Sequence, residues 1–165
     1  MGHVQTSRLI SAPIHEVYSH ITDLRNLGLW LRPDLDVEWP TNGNAPIPAV
    51  KERSEIAVFL VRFGLALRVT VRVDEVKPNE GYTYRQTNGL FRSFVHNQSL
   101  RVHDHETTLL TDIVDFQTPL GILGALIDDL WLKKDLERIL EARLDRIENF
   151  FKGPSRERAQ FNVDQ

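Results

Sequence analysis

The residues best placed to do chemistry lie in two short runs, 91–103 and 107–117, which hold His96, Gln98 and Asp112. Both runs are rich in β-branched and aromatic residues, and only "DHE" separates them, so they predict a hairpin. Such a short loop pairs Val102 with Thr108, which sets His96 opposite Val114 and Gln98 opposite Asp112. One face then carries Phe94, His96, Gln98, Leu100, Leu110, Asp112, Val114 and Phe116. The other carries more polar side chains, among them Ser93, Asn97, Ser99, Arg101, Thr111 and Asp115. The apolar face is therefore assigned to the interior, with His96, Gln98 and Asp112 as a polar cluster in its wall, joined by Gln86 on the neighbouring strand.

A buried His and Asp in contact could polarise a carbonyl or move a proton, because the carboxylate orients the imidazole and favours its charged form. The plainer reading is that the two satisfy one another, since a lone buried polar group costs about 1–3 kcal/mol. Either reading allows them to orient a ligand. Other candidates are weaker. His103 and His105 flank a charged loop without helical metal spacing, and His15 and His20 point to different sides of one helix, so no metal site is expected. There is no nucleophile elbow, Walker loop or HExxH sequence, and no cofactor is called for.

These residues need a sheet to hold them and something to cover it. Residues 3–10 read as a strand, and "SAP" at 11–13 as a helix start with Ser11 capping. The helix that follows runs to about Thr22, with Ile14, Val17, Tyr18 and Ile21 as its buried stripe. "DLRNLGLWLRP" reads as a second short helix ending before Pro33, and "DLDVEW" as a strand. "PTNGNAPIP" is a turn-rich loop. Runs at 50–62, 66–77, 81–87, 91–103 and 107–117 then form a meandering antiparallel sheet. Leu67, Val69, Val71 and Val73 alternate with Arg68, Thr70 and Arg72, which puts those arginines, with Arg62, on the outer face.

After Pro119 the pattern is helical from about 120 to 152, and Gly153 and Pro154 stop it. Residues 153–165 read as a polar tail, leaving 3–152 as one domain. The helix has two apolar sectors, one through Leu123, Leu126, Ile127, Leu130 and Trp131, the other through Leu136, Ile139, Leu140, Leu144, Ile147, Phe150 and Phe151. The fold expected is α+β: a curved antiparallel sheet of about seven strands wrapped around a long C-terminal helix, with two short helices closing one end.

The bulk properties agree. In 165 residues the hydrophobic share is 41% and the charged share 26%, ordinary for a globular domain. A net charge of −3 without a basic stripe argues against nucleic acid. Cysteine is absent, which removes disulfides and thiolate chemistry. No signal-peptide pattern or bilayer-length apolar run appears, so a cytoplasmic location without integral membrane contact is expected. "PLGILG" at 119–124 is no phosphate loop, because antiparallel hairpins precede it and no strand follows. Pro119 ends the strand there, and Gly121 and Gly124 let the chain turn.

The order of elements, with "SAPIHEVYSHITDLRNLGLW", "RQTNGLFRSFVHNQSL" and "TTLLTDIVDFQTPLGILGALIDDLWL", resembles the START-like or Bet v 1-like helix-grip superfamily, particularly its bacterial polyketide cyclase and dehydrase-type members. The resemblance covers residues 3–152 and implies a hydrophobic ligand cavity between sheet and last helix. The chain has "LRNLGLWLRP" where quinone-binding members carry an aromatic, Pro-rich stretch, which argues against coenzyme Q.

The leading expectation is therefore a non-enzymatic domain that binds a lipid, polyketide or isoprenoid-like molecule. Its lining would include Trp30, Phe59, Tyr84, Gln86, Phe94, His96, Gln98, Asp112, Val114, Phe116, Leu123, Ile127 and Leu130. Trp30 sits where it either gates the mouth or fills the core. One alternative is a cyclase or dehydratase using His96 and Asp112 as acid and base. Another is a docking domain whose apolar sector from Leu126 to Trp131 meets another chain. A homodimer is compatible with the sequence.

Overall fold

The structure, a computed structural model, describes residues 1–38, 50–62, 65–118 and 132–153. The turn-rich loop at 40–48, the "PLGILG" corner, the first part of the last helix with Leu123, Ile127, Leu130 and the Leu126 to Trp131 sector, and the tail from 154 lie outside those residues.

Seven strands form one antiparallel sheet: β1 (Gly2–Ile10), β2 (Asp36–Glu38), β3 (Glu55–Arg62), β4 (Leu65–Lys77), β5 (Gly81–Asn88), β6 (Ser93–Val102) and β7 (Thr108–Gln117). Their spatial order is β1-β7-β6-β5-β4-β3-β2, so the meander from β2 to β7 is completed by the first strand pairing with the last. Bulges at Thr70/Val71 and Val73/Glu75 interrupt the β4 to β5 ladder and help curl the sheet. The strand expected from residue 50 starts only at Glu55, because Ser54 turns back to bond the Lys51 carbonyl through its N–H and its hydroxyl. Gly81 opens β5 at φ 125°, and a Cβ there would lie 1.9 Å from the Gln98 carbonyl oxygen, so this close strand approach requires glycine.

Helix α1 (Ile14–Thr22) buries Val17, His20 and Ile21. Ser11 does not cap it. The cap position is Pro13, whose carbonyl accepts from Glu16 and Val17, and no side chain takes the capping role. Thr108 anchors this entry instead, donating its buried hydroxyl to the Ala12 carbonyl at 2.8 Å. The second helical stretch is a 3₁₀ turn (Leu24–Asn26), capped by Asp23 on the Arg25 N–H, running into α2 (Leu27–Leu31).

The described last helix, α3 (Lys133–Lys152), packs against β1 and α2. It buries Ile139, Leu140, Leu144, Ile147 and Phe151, as its periodicity predicts, and also Arg143. Arg146 ties it to α2 by donating to the Trp30 carbonyl at 2.9 Å and to Asp34 at 2.6 Å, while Arg138 pairs with the same carboxylate. Burial alone would raise the Asp34 carboxyl, but the two arginines hold it below the usual range.

Three apolar groups fill the interior. One joins α1, α2 and the C-terminal half of α3 through Val17, Trp30, Leu144, Ile147 and Phe151. The second lies under β2 to β4 around Val37, Ile56, Val58 and Val73. The third joins Val4, Val114 and Phe116 to Leu140.

Candidate functional site

The β6 to β7 register is the one the loop length predicts: His96 lies opposite Val114, Gln98 opposite Asp112 and Val102 opposite Thr108. The neighbouring strands extend it into rows across the sheet. Thr6 on β1, Asp112, Gln98 and Tyr82 on β5 form one row; Val4, Val114, His96 and Tyr84 form the next. Period-two alternation turns all eight toward α3 and the core.

Between these rows runs a continuous polar chain. The Tyr84 hydroxyl lies 2.7 Å from His96 Nδ1, His96 Nε2 lies 3.1 Å from Asp112 Oδ1, and Arg143 Nη1 donates to Asp112 Oδ2 at 2.5 Å. Asp112 has no exposed surface and Arg143 is 3% exposed. Burial alone would push the Asp112 carboxyl up, yet the Arg143 charge and the His96 hydrogen bond outweigh it and hold the group below the usual carboxylate range. Burial likewise works against the Arg143 charge, and the Asp112 carboxylate more than restores it.

Burial pushes the Tyr82 phenol up to about 12 and raises that of Tyr84 as well. Tyr84 therefore keeps its proton. The Asp112 carboxylate only accepts, so Nε2 carries a ring hydrogen and donates it there, while Nδ1 shares a hydrogen bond with the Tyr84 hydroxyl. In this arrangement neither imidazole nitrogen is left for a substrate.

The remaining lining candidates divide. Phe94 is half-buried among Phe91, Tyr84 and His96, and Val114 and Phe116 are fully buried beside it. Gln86 does not join the polar chain: its amide nitrogen donates to the Phe91 carbonyl at 2.8 Å, stitching the β5 to β6 connection. Phe59 is not on the inner wall, because it alternates with Val58 and Leu60, which face the core. Trp30 is 4% exposed and wedged between His20 and Phe150, which is the core-filling position. Arg68 and Arg72 are exposed, and Arg72 pairs with Asp74.

Sequence reasoning misses Arg143. The signal is present: Arg143 lies three residues after Leu140 and four before Ile147, inside the stripe that α3 buries. A buried carboxylate on the facing sheet also calls for a cation. The burial of His20 likewise goes beyond what its spacing from His15 indicates. Among the described residues no group of three metal-ligating side chains occurs, and no helix is long and apolar enough to cross a membrane.

A curled seven-stranded sheet gripping a C-terminal helix, with short helices after the first strand, is the helix-grip fold of the START-like and Bet v 1-like superfamily. The chain belongs to the family described as polyketide cyclase / dehydrase and lipid transport, whose pattern matches residues 1–150.

Solved structures share the fold at low identity. A START superfamily protein from Mycobacterium smegmatis is 17% identical, covering 92% of this chain and 98% of its own, with a TM-score of 0.69. The Zhui aromatase/cyclase from Streptomyces sp. R1128 is 21% identical, covering 91% and 93%, with a TM-score of 0.68. The protein TTHA0849 from Thermus thermophilus is 18% identical, covering 88% and 96%, with a TM-score of 0.64. Among curated proteins nothing matches.

Proposed function

We propose that the chain encloses one apolar or amphipathic small molecule, of the lipid, polyketide or isoprenoid kind, between the inner face of the sheet and the last helix. The observation that carries this reading is the self-contained polar chain from Arg143 to Tyr84, set among the buried apolar Val4, Leu110, Val114 and Phe116. Sites for such ligands are mostly apolar with a few placed polar groups. The family's description joins cyclisation with lipid transport, and the Arg143 geometry favours the second. An acid and base pair reaches its substrate through a ring nitrogen or a carboxylate oxygen, and groups already bonded to one another do so less readily. Here Tyr84 and Asp112 occupy both nitrogens of His96, and His96 and Arg143 occupy both oxygens of Asp112.

Native mass spectrometry of the protein purified from its host tests this. A co-purifying small molecule released on denaturation is expected, and its mass and fragmentation name its class. Only unliganded protein, with no uptake from a lipid and polyketide panel, would overturn the reading. A His96→Ala variant is expected to turn over linear polyketide substrates no less than the native chain does. Turnover by the native chain that this variant loses would restore the cyclase.

A further inference from the structure

Two polar groups beside Asp112 are left over. Gln98 is 3% exposed, and its amide oxygen has no hydrogen-bond partner; Thr6, 8% exposed on the other side of Asp112, has an unpartnered hydroxyl. A buried amide oxygen left without a partner is costly, and native interiors rarely leave one so. The charges nearby are already matched. Arg143 and Asp112 are the only buried charged side chains among the described residues, and they pair with each other.

We propose that the enclosed ligand is neutral at its polar end and carries a hydroxyl there, an alcohol, phenol or enol, which bonds the Gln98 amide. This rests on the ligand-binding reading above. A hydroxyl both donates and accepts, so it satisfies an amide in either orientation. An ionised carboxylate or phosphate does not fit. The Gln98 amide can turn its N–H2 toward it but brings no charge, and the guanidinium's charge is already cancelled by Asp112, so the anion enters as an uncompensated buried charge. Thr6 Oγ1 offers a second hydroxyl partner for a ligand or a bridging water in the same row.

Competition against the neutral fluorescent probe N-phenyl-1-naphthylamine at neutral pH separates the claims, with 1-dodecanol and dodecanoate as the matched pair. The alcohol is expected to displace the probe at least ~10-fold more effectively than the anion, which arrives as an unpaired charge. Gln98→Met keeps the length and removes the amide, and should weaken the alcohol by ~3- to 10-fold once displacement is referred to each variant's own directly measured probe affinity. Asp112→Asn frees the Arg143 charge and should strengthen dodecanoate relative to dodecanol. If Asp112→Asn does not fold, the Gln98→Met comparison decides alone.

Probe binding with equal displacement by alcohol and carboxylate, or an alcohol affinity untouched by Gln98→Met, overturns the hydroxyl proposal and leaves the ligand-binding reading intact. Failure of the probe and of both chains to bind overturns the two together.

Discussion

At the end closed by α1 and α2, His20 lies flat on Phe150, with ring centroids 4.0 Å apart and 18° between planes, and Trp30 and Phe151 meet it edge-on. At the centre of the sheet, His96 is held through its nitrogens by Tyr84 and Asp112. Both rings are buried, yet their surroundings differ in kind. The first region keeps its histidine mainly by ring contacts, with the nearby Asn26 amide 3.4 Å from the ring Nδ1 and donating to the His20 carbonyl at 3.1 Å. The second keeps its histidine inside a charged chain whose members depend on one another. The closed end is thus built as core, whereas the centre is built around polar groups that a simpler core would omit.

The largest expected effect comes from cutting the central chain at its cation. Arg143→Met leaves the Asp112 carboxylate buried and unpaired, and should cost about 3–5 kcal/mol in urea unfolding. Replacing Asp112 by Leu in the same chain should recover part of that loss, because the charge is gone although His96 Nε2 loses its acceptor. His96→Leu strips Tyr84 and Asp112 of one partner each and should cost about 1–3 kcal/mol. At the closed end, His20→Phe preserves the stacking and the Asn26 bond to the backbone and loses only the long Asn26 contact to Nδ1, so it should cost about 1 kcal/mol. A His20→Phe loss as large as that of Arg143→Met would erase the distinction between the two regions.

The central chain also answers to acid. In the folded chain the Asp112 carboxyl is held below its ordinary value. Its contribution is therefore fully present above the unfolded pKa of about 4 and is lost as the pH falls through the lower folded value. Unfolding free energies measured from about pH 6 down to about pH 2 should fall more steeply for the native chain than for Asp112→Asn. An equal slope would mean that the Asp112 pairing adds nothing to the folded state.

Much of this was legible in the sequence. The short "DHE" loop and strict alternation fixed which residues of β6 and β7 share a face, because a one-residue slip would expose the whole apolar set. The element order was readable for the same reason. What escaped depended on contacts between distant segments. Arg143 is hidden when the α3 stripe is counted in apolar residues alone, although its spacing marks it. Gln86 faces inward as its strand position requires, yet a nearby backbone carbonyl claims its amide. Phe59 looks like a lining residue by type, while its alternation with the core-facing Val58 and Leu60 argues otherwise. Ser11 has the chemistry of a cap, but the chain enters α1 at Pro13 and leaves that hydroxyl outside.

The most direct test of a ligand seated against the central chain is an imidazole ¹⁵N spectrum recorded with and without 1-dodecanol. The His96 nitrogens are expected to shift on addition, with Nε2 carrying the hydrogen in the free protein, while those of His20 stay in place. Saturable dodecanol binding that moves His20 and leaves His96 unchanged would place the ligand at the closed end and contradict the site described.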